Sequence, residues 1–226
     1  MSKLGEVYDR DLNLGGLPDY LSLTWGKVDP FPLAGIWIYS GAQGSGKTLN
    51  MIHTLIEIHQ KYPEALIVSN INLYGIPHEI YTGFECFDKY NNGSKGIVYV
   101  IDEIQSLFSS LESKNVPLSQ LTVWSQNRKN RRVILGTSQR FTRIQKPIRE
   151  QCIWHIECRQ FLFFKMYRVL DATLYDDEGK YTGDNVLWRP YIPKVEAMLK
   201  YNTLEVVQRD QMEGNNVSCK RADKLG

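Results

Sequence analysis

Apolar residues along the chain fall into two kinds of cluster. Short unbroken runs, Ile36-Trp37-Ile38-Tyr39, Ala65-Leu66-Ile67-Val68-Ser69, Gly96-Ile97-Val98-Tyr99-Val100-Ile101 and Arg132-Val133-Ile134-Leu135-Gly136, are rich in β-branched and aromatic residues and predict strands. Their lack of polar alternation predicts strands covered on both faces, as in a parallel sheet. Between them the apolar positions recur at helical spacing. Ile52, Leu55, Ile56 and His59 mark a helix that stops before Pro63, Ile104, Leu107, Phe108 and Leu111 a second, and Leu121 with Trp124 and Ser125 a third. Strands alternating with helices predict a three-layer α/β domain around a central parallel sheet.

Two later runs, Cys152 to Glu157 and Phe161 to Leu170, predict a C-terminal β-hairpin or meander that ends near the polar turn Asp176-Asp177-Glu178-Gly179. Consecutive apolar residues in Phe161-Leu162-Phe163-Phe164-Lys165-Met166-Tyr167 point to both faces of a strand. That predicts a buried edge strand or a subunit interface rather than a base-stacking platform. Pro18, Pro30 and Pro32 break any long helix near the start, so residues 1–34 are expected to form an irregular extension, 35–205 the domain, and 206–226 a polar, mobile tail.

Composition narrows the class. With 226 residues, 42% hydrophobic and 23% charged, the chain can bury the core of one ordinary domain, and no apolar run approaches the roughly 18 residues that cross a bilayer. Met1-Ser2-Lys3-Leu4-Gly5-Glu6 lacks the apolar stretch of a secretory signal. Cys86, Cys152, Cys158 and Cys219 form no C-x-x-C pair, and His53, His59, His78 and His155 have no ligand spacing, which excludes a recognisable zinc or disulfide framework. Charge adds a local signal: of 27 Lys and Arg, eight lie between Gln126 and Arg149 with no acid among them, leaving 19 against 25 acidic residues elsewhere, a net of −6. A confined basic stretch of this kind predicts a phosphate-facing surface, with a solvated basic helix face and loop as the alternative for any one residue.

The chemistry begins at Gly41-Ala42-Gln43-Gly44-Ser45-Gly46-Lys47-Thr48, which satisfies G-x-x-x-x-G-K-[ST] between a strand and a helix. Glycines let backbone N–H groups curl around a β-phosphate, and the helix N-terminus adds positive potential. Lys47 is expected at the β- and γ-phosphates of ATP and Thr48 at Mg²⁺. The third strand delivers Asp102-Glu103 at its C-terminal end, where ligands bind in open α/β sheets. Asp102 is expected to hold Mg²⁺ and Glu103 to orient or deprotonate the attacking water, which favours an enzyme that hydrolyses ATP unaided over a small-GTPase switch. Gln139, just after the fourth strand, is expected to face and sense the γ-phosphate if that strand lies between those bearing Lys47 and Asp102, with a plain turn residue as the alternative.

Walker A, Val98 to Glu103 with Gln105, the stretch Gln126-Asn127-Arg128-Lys129-Asn130-Arg131-Arg132 leading into Val133 to Gln139, and Ile148-Arg149 together resemble the zonula-occludens-toxin family of phage assembly ATPases, within the FtsK/HerA group of DNA-translocating motors. Tyr201-Asn202-Thr203 and Glu205 resemble a C-terminal pattern of that group. The resemblance implies a P-loop NTPase of the additional-strand, catalytic-Glu type, working as a homo-oligomeric ring, expected as a hexamer, on double-stranded DNA. It implies Arg128 as an arginine finger supplied to the neighbouring subunit, with Arg149 as a second candidate. Arg131, Arg132, Arg140, Arg143 and Lys146 become expected DNA-phosphate or subunit contacts. Toxin-like members continue into a membrane-spanning segment, whereas this sequence ends in a polar tail, so the nearer expectation is a genome-packaging ATPase at a capsid vertex. Filamentous virion extrusion with membrane-associated partners and a nucleotide-regulated scaffold are the alternatives. The expected location is the host cytoplasm or the packaging vertex of the virion.

Overall fold

Apolar runs without alternation need cover on both sides, and the chain supplies it by threading them into one sheet between two apolar layers. The computed structural model describes residues 30–106, 127, 129–161, 164–176, 178–193 and 195–199. In chain order they form β1 (Gly35–Ser40), α1 (Lys47–Lys61), β2 (Leu66–Ser69), β3 (Glu79–Ile80), α2 (Glu85–Lys89), β4 (Ile97–Ile101), β5 (Arg132–Ser138), α3 (Lys146–Arg149), β6 (Cys152–Phe161), β7 (Phe164–Asp171), β8 (Arg189–Tyr191) and α4 (Val195–Leu199). The eight strands lie in the order β3-β2-β4-β5-β1-β6-β7-β8. All pairings from β3 to β6 are parallel, and β7 and β8 are antiparallel additions at one edge.

Every residue of β1, β4 and β5 is buried. Trp37, Tyr39, Val98, Val100, Val133 and Leu135 face one layer, where Met51, Ile52, Leu55 and Ile58 of α1 are fully buried. Burying each of those four side chains is worth roughly 1.5–3 kcal/mol in transfer from water, before ordering costs. Ile36, Ile38, Ile97, Tyr99, Ile101 and Ile134 face the opposite layer, closed by Phe87, Phe141, Ile144 and Ile148. The sheet therefore has an apolar cover on each side, as its continuous runs require. Helix α1 stops at Tyr62, the residue before Pro63, where the proline ring disfavours a helical backbone.

Several expectations shift. The C-terminal strands are fused to the central sheet: β6 pairs in parallel with β1 before turning into β7, with a register break between Ile36 and Trp37. Residues Phe161 and Phe164, expected in a buried edge strand or a subunit interface, are 65% and 49% exposed where β6 ends and β7 begins, which removes the buried reading, and β8 pairs with Lys165 to Tyr167 on the far side of β7. At its other limit, the extension drawn to residue 34 ends inside the core, with Phe31 and Leu33 each 1% exposed. Phe31 packs edge-on against Tyr62 and also occupies the space over Gly96, where a Cβ would come within 2.0 Å of the ring. Ile104 is fully buried, but the rest of the second and third predicted helices, through Leu107, Phe108, Leu111, Leu121, Trp124 and Ser125, lies outside the described residues, as do the tail and Tyr201 to Glu205. Cys86, Cys152 and Cys158 are buried thiols that form no disulfide among the described residues, and Cys219 is outside them. Among the described residues no helix is long and apolar enough to cross a membrane, and no group of His, Cys, Asp and Glu is arranged to hold a metal by itself.

Candidate nucleotide site

Strand β1 ends at Ser40, and the chain turns through residues 41 to 46 before α1 begins. Two glycines are dictated by geometry. A Cβ on Gly41 would lie 2.2 Å from the Cys158 carbonyl oxygen of β6, and Gly46 takes φ +89° to start the helix. No side chain caps α1, so its first N–H groups remain available to an anion. Lys47 is buried and its Nζ donates to the Ala42 carbonyl at 3.1 Å, folded back over its own loop. The Ser45 hydroxyl is buried with no hydrogen-bond partner among the described residues.

The carboxylates arrive from β4. Because β5 lies between β4 and β1, its side chains bridge the two ends of the site. Thr48 Oγ1 donates to Asp102 Oδ1 at 2.9 Å, and Thr137 Oγ1 donates to the same oxygen at 2.7 Å while accepting the Glu103 N–H at 2.8 Å. Asn70, just past β2, secures the Asp102 backbone from the other side: its Oδ1 accepts the Asp102 N–H at 2.8 Å and its Nδ2 donates to the Asp102 carbonyl at 2.9 Å. Glu103 sits at φ +52°, a left-handed conformation that costs a non-glycine residue about 1–2 kcal/mol. Hydrogen bonds from Ile104 N–H to the Thr137 carbonyl (2.9 Å) and from Ser106 N–H to the Glu103 carbonyl (2.8 Å) hold that turn, and the Gln105 amide donates to the Glu103 carboxylate. Thr137 and Asn70 were not among the sequence-derived candidates.

Thr48 Oγ1 and Asp102 Oδ1 are adjacent hard oxygen donors at the mouth of the loop, and Lys47 and the open helix start sit beside them. This donor set fits Mg²⁺ with a nucleotide polyphosphate. Gln139 follows directly on β5 and is exposed, with its Oε1 accepting from Arg143 Nη1 at 2.5 Å. Arg149 lies elsewhere: β6 starts opposite Ile36, at the beginning of β1, so the crossover from β5 carries α3 to the end of the sheet away from this chain's own P-loop. Arg128 lies outside the described residues.

The basic stretch is likewise divided. Arg132 opens β5 beside Ile97 and is buried at 7% exposure, which removes it from the expected DNA contacts. Arg140 and Arg143 are exposed at the opposite end of β5, roughly 20 Å away along a strand of this length, on the side of the loop and carboxylates.

No family model matches this sequence, and no curated protein matches it. Among solved structures, the N-terminal domain of zonular occludens toxin from Neisseria meningitidis superimposes with a TM-score of 0.59 at 15% identity, covering 75% of this chain and 100% of that one. The fold is that of a P-loop NTPase. The genome-packaging NTPase B204 of Sulfolobus turreted icosahedral virus 2, in complex with ATP-gammaS, is also similar, at a TM-score of 0.49 and 14% identity over 70% of this chain and 97% of that one.

On the other side of the P-loop stands a wall that the sequence reading missed. A cavity of about 780 Å³ is lined by Gly41 to Ser45 and by Glu157 to Gln160 of β6. Burial raises the Glu157 pKa, but hydrogen bonds and charge from Arg168, and then Arg159, outweigh it and hold the carboxyl below its ordinary value. The two ion pairs measure 2.7 Å to Arg168 and 3.0 Å to Arg159, and both guanidinium groups lie over the Trp188 ring at 4.8 Å and 4.3 Å. Burial pushes the Cys158 thiol up to about 12, with Asn50 and Lys47 opposing it, so this cysteine beside the loop stays protonated and inert. Beneath the loop, His155 is buried between Ser40 Oγ (2.6 Å) and Tyr175 Oη (2.5 Å) and stacks on Phe141 at 4.3 Å.

Proposed function

We propose that this chain is an ATP-hydrolysing motor that moves double-stranded DNA, its specific task being to package a phage genome into a capsid. The observation that carries the hydrolytic part is the convergence of Thr48 and Thr137 on Asp102 with Glu103 tied to the same Thr137 hydroxyl. Lys47 leaves the Ala42 carbonyl to bind the β- and γ-phosphates, a move of a flexible side chain that needs no change in the loop. Thr48 and Asp102 would hold Mg²⁺, which would neutralise charge on the phosphates when bound. Glu103, anchored by the Gln105 amide and by its backbone bond to Thr137, orients water and accepts its proton. Gln139 reports the γ-phosphate to Arg143, its hydrogen-bond partner on the exposed loop after β5.

The DNA part rests on Arg140 and Arg143, exposed cations on the same side of the sheet as the nucleotide site, which suit contact with phosphates without reading bases. In this reading identical subunits form a ring in which Arg128 of each serves as the arginine finger of its neighbour's site. ATP turnover measured with unrelated duplexes across a salt series tests the reading. Stimulation independent of DNA sequence, with affinity falling against log salt by about 0.9 per phosphate contacted, is expected. Turnover indifferent to DNA in an assembled ring would instead make the chain a nucleotide-regulated scaffold.

A further inference from the structure

Lys165 is one residue into β7 and pairs with Gln160 across the hairpin, yet its side chain leaves the sheet and lies on the P-loop. Its Nζ donates to the Gly44 carbonyl at 2.9 Å and to the Gln160 side-chain oxygen. Its methylenes cover Gly46, where a Cβ would stand 3.1 Å from Lys165 Cδ and 3.4 Å from Cε. The loop is thus bracketed by two ammonium groups on two of its carbonyls: Lys47, from α1, on Ala42 and Lys165, from β7, on Gly44. Both partners of Lys165 are neutral oxygens. Among the described residues that cation is held by neutral oxygens, and burial lowers its pKa. The cavity between the loop and Glu157 to Gln160 opens at the same place, and the buried Ser45 hydroxyl in the loop has no hydrogen-bond partner among the described residues.

We propose that Lys165 is a second ammonium ligand of the nucleotide, supplied in cis by the β6–β7 hairpin, which exchanges the Gly44 carbonyl for the β- and γ-phosphates. The proposal rests on the ATP-binding reading of the loop and deepens it. A flexible lysine resting on a loop carbonyl next to Lys47, which rests on another, can make the same exchange, and a phosphate supplies the charge partner that its present oxygens lack. Lys165 would then line one side of the nucleotide site opposite Lys47.

Calorimetric titration of the full chain with ATP, ADP and AMP separates this role from a structural one. Lys165→Ala is expected to weaken ATP and ADP by about tenfold or more, the range of a charge-assisted hydrogen bond, and AMP by no more than about twofold. Lys165→Gln keeps a donor for Gly44 and guards against a folding defect in the alanine variant; without the charge it should lose ATP affinity to a similar degree, whereas Lys165→Arg should retain most of it. Wild-type ATP affinity in a folded Lys165→Ala or Lys165→Gln protein overturns the proposal. An equal loss for ATP, ADP and AMP also overturns it, because it would mean that Lys165 only shapes the loop. If the wild-type chain itself bound no ATP, the ATP-binding reading would fall first and this one with it.

Discussion

Strand β1 divides the nucleotide site into two walls built on different principles. On the β4–β5 side, Asp102, Glu103 and Thr137 are fixed by short hydrogen bonds at the ends of strands buried on both faces. On the β6–β8 side, Glu157, Arg159, Lys165, Arg168 and Trp188 meet by long, partly exposed side chains on an antiparallel edge. The first arrangement suits groups that must hold an angle during chemistry; the second suits groups that must let go of one partner and take another. One face of the loop is rigid, the other adaptable.

The sharpest way to test that division is at Glu103. Lys47→Ala should abolish nucleotide binding, while Glu103→Gln should leave ATP bound and slow turnover by roughly 10²- to 10⁴-fold, because only the second group acts on the attacking water. Turnover at the wild-type rate in Glu103→Gln would take the chemistry off the rigid wall.

The next effect lies on the β6 side and is read as stability. Burial lowers the His155 pKa from 6.5 to about 4, with smaller opposing contributions from Glu157, which raises it, and Arg168, which lowers it. The unfolded chain therefore takes up a proton that the folded chain refuses. Stability from this residue is complete above pH 6.5 and is lost as the pH falls toward about 4, on the order of 3 kcal/mol in all. Denaturant unfolding across that range should show the slope, and His155→Gln should flatten it. An unchanged slope would place the acid sensitivity on groups other than His155.

Thr137→Val comes third. The swap preserves volume but leaves the Glu103 N–H without its acceptor, so a loss of about 1–3 kcal/mol is expected, appearing more in turnover than in ATP affinity, with Thr137→Ser restoring most of it. Smallest is Trp188→Ala, which removes two cation–π contacts on an exposed edge worth roughly 0.5–1 kcal/mol each. Melting should shift by only a few degrees with Glu103-dependent chemistry intact; a collapse in turnover would mean that the adaptable wall helps to set the catalytic angle.

The two walls also differed in how far they could be read from sequence. Gly41 to Thr48 and Asp102-Glu103 are contiguous in the chain, and the chemistry they need dictates their spacing, so the loop, the carboxylates and the strand between them were legible. Thr137 was not, since a threonine inside Val133-Ile134-Leu135-Gly136-Thr137 reads as a strand former, and only the pairing of β5 with both β1 and β4 brings its hydroxyl to Asp102. Lys165 was hidden by its apolar neighbours: it looked like one polar position in a buried strand until the hairpin register set it against Gln160 and the loop. Strand β3 has two residues and β8 contains Pro190, so neither carries a strand signature. Arg132 shows the opposite failure, a charge counted into a basic surface that the start of β5 buries.

Thr137 has a mechanical consequence. Strand β5 is paired with β4 from Arg132 to Gly136 and with β1 from Val133 to Ser138, so it is tied into the sheet on both sides over most of its length. The strand ends at Ser138, and the next residue, Gln139, accepts a hydrogen bond from Arg143 on the surface. Arg143 is thereby tied to the end of the same strand whose Thr137 hydroxyl bonds both Asp102 and the Glu103 N–H. In that geometry a pull on the surface arginine would reach the spacing of the two carboxylates through one oxygen atom.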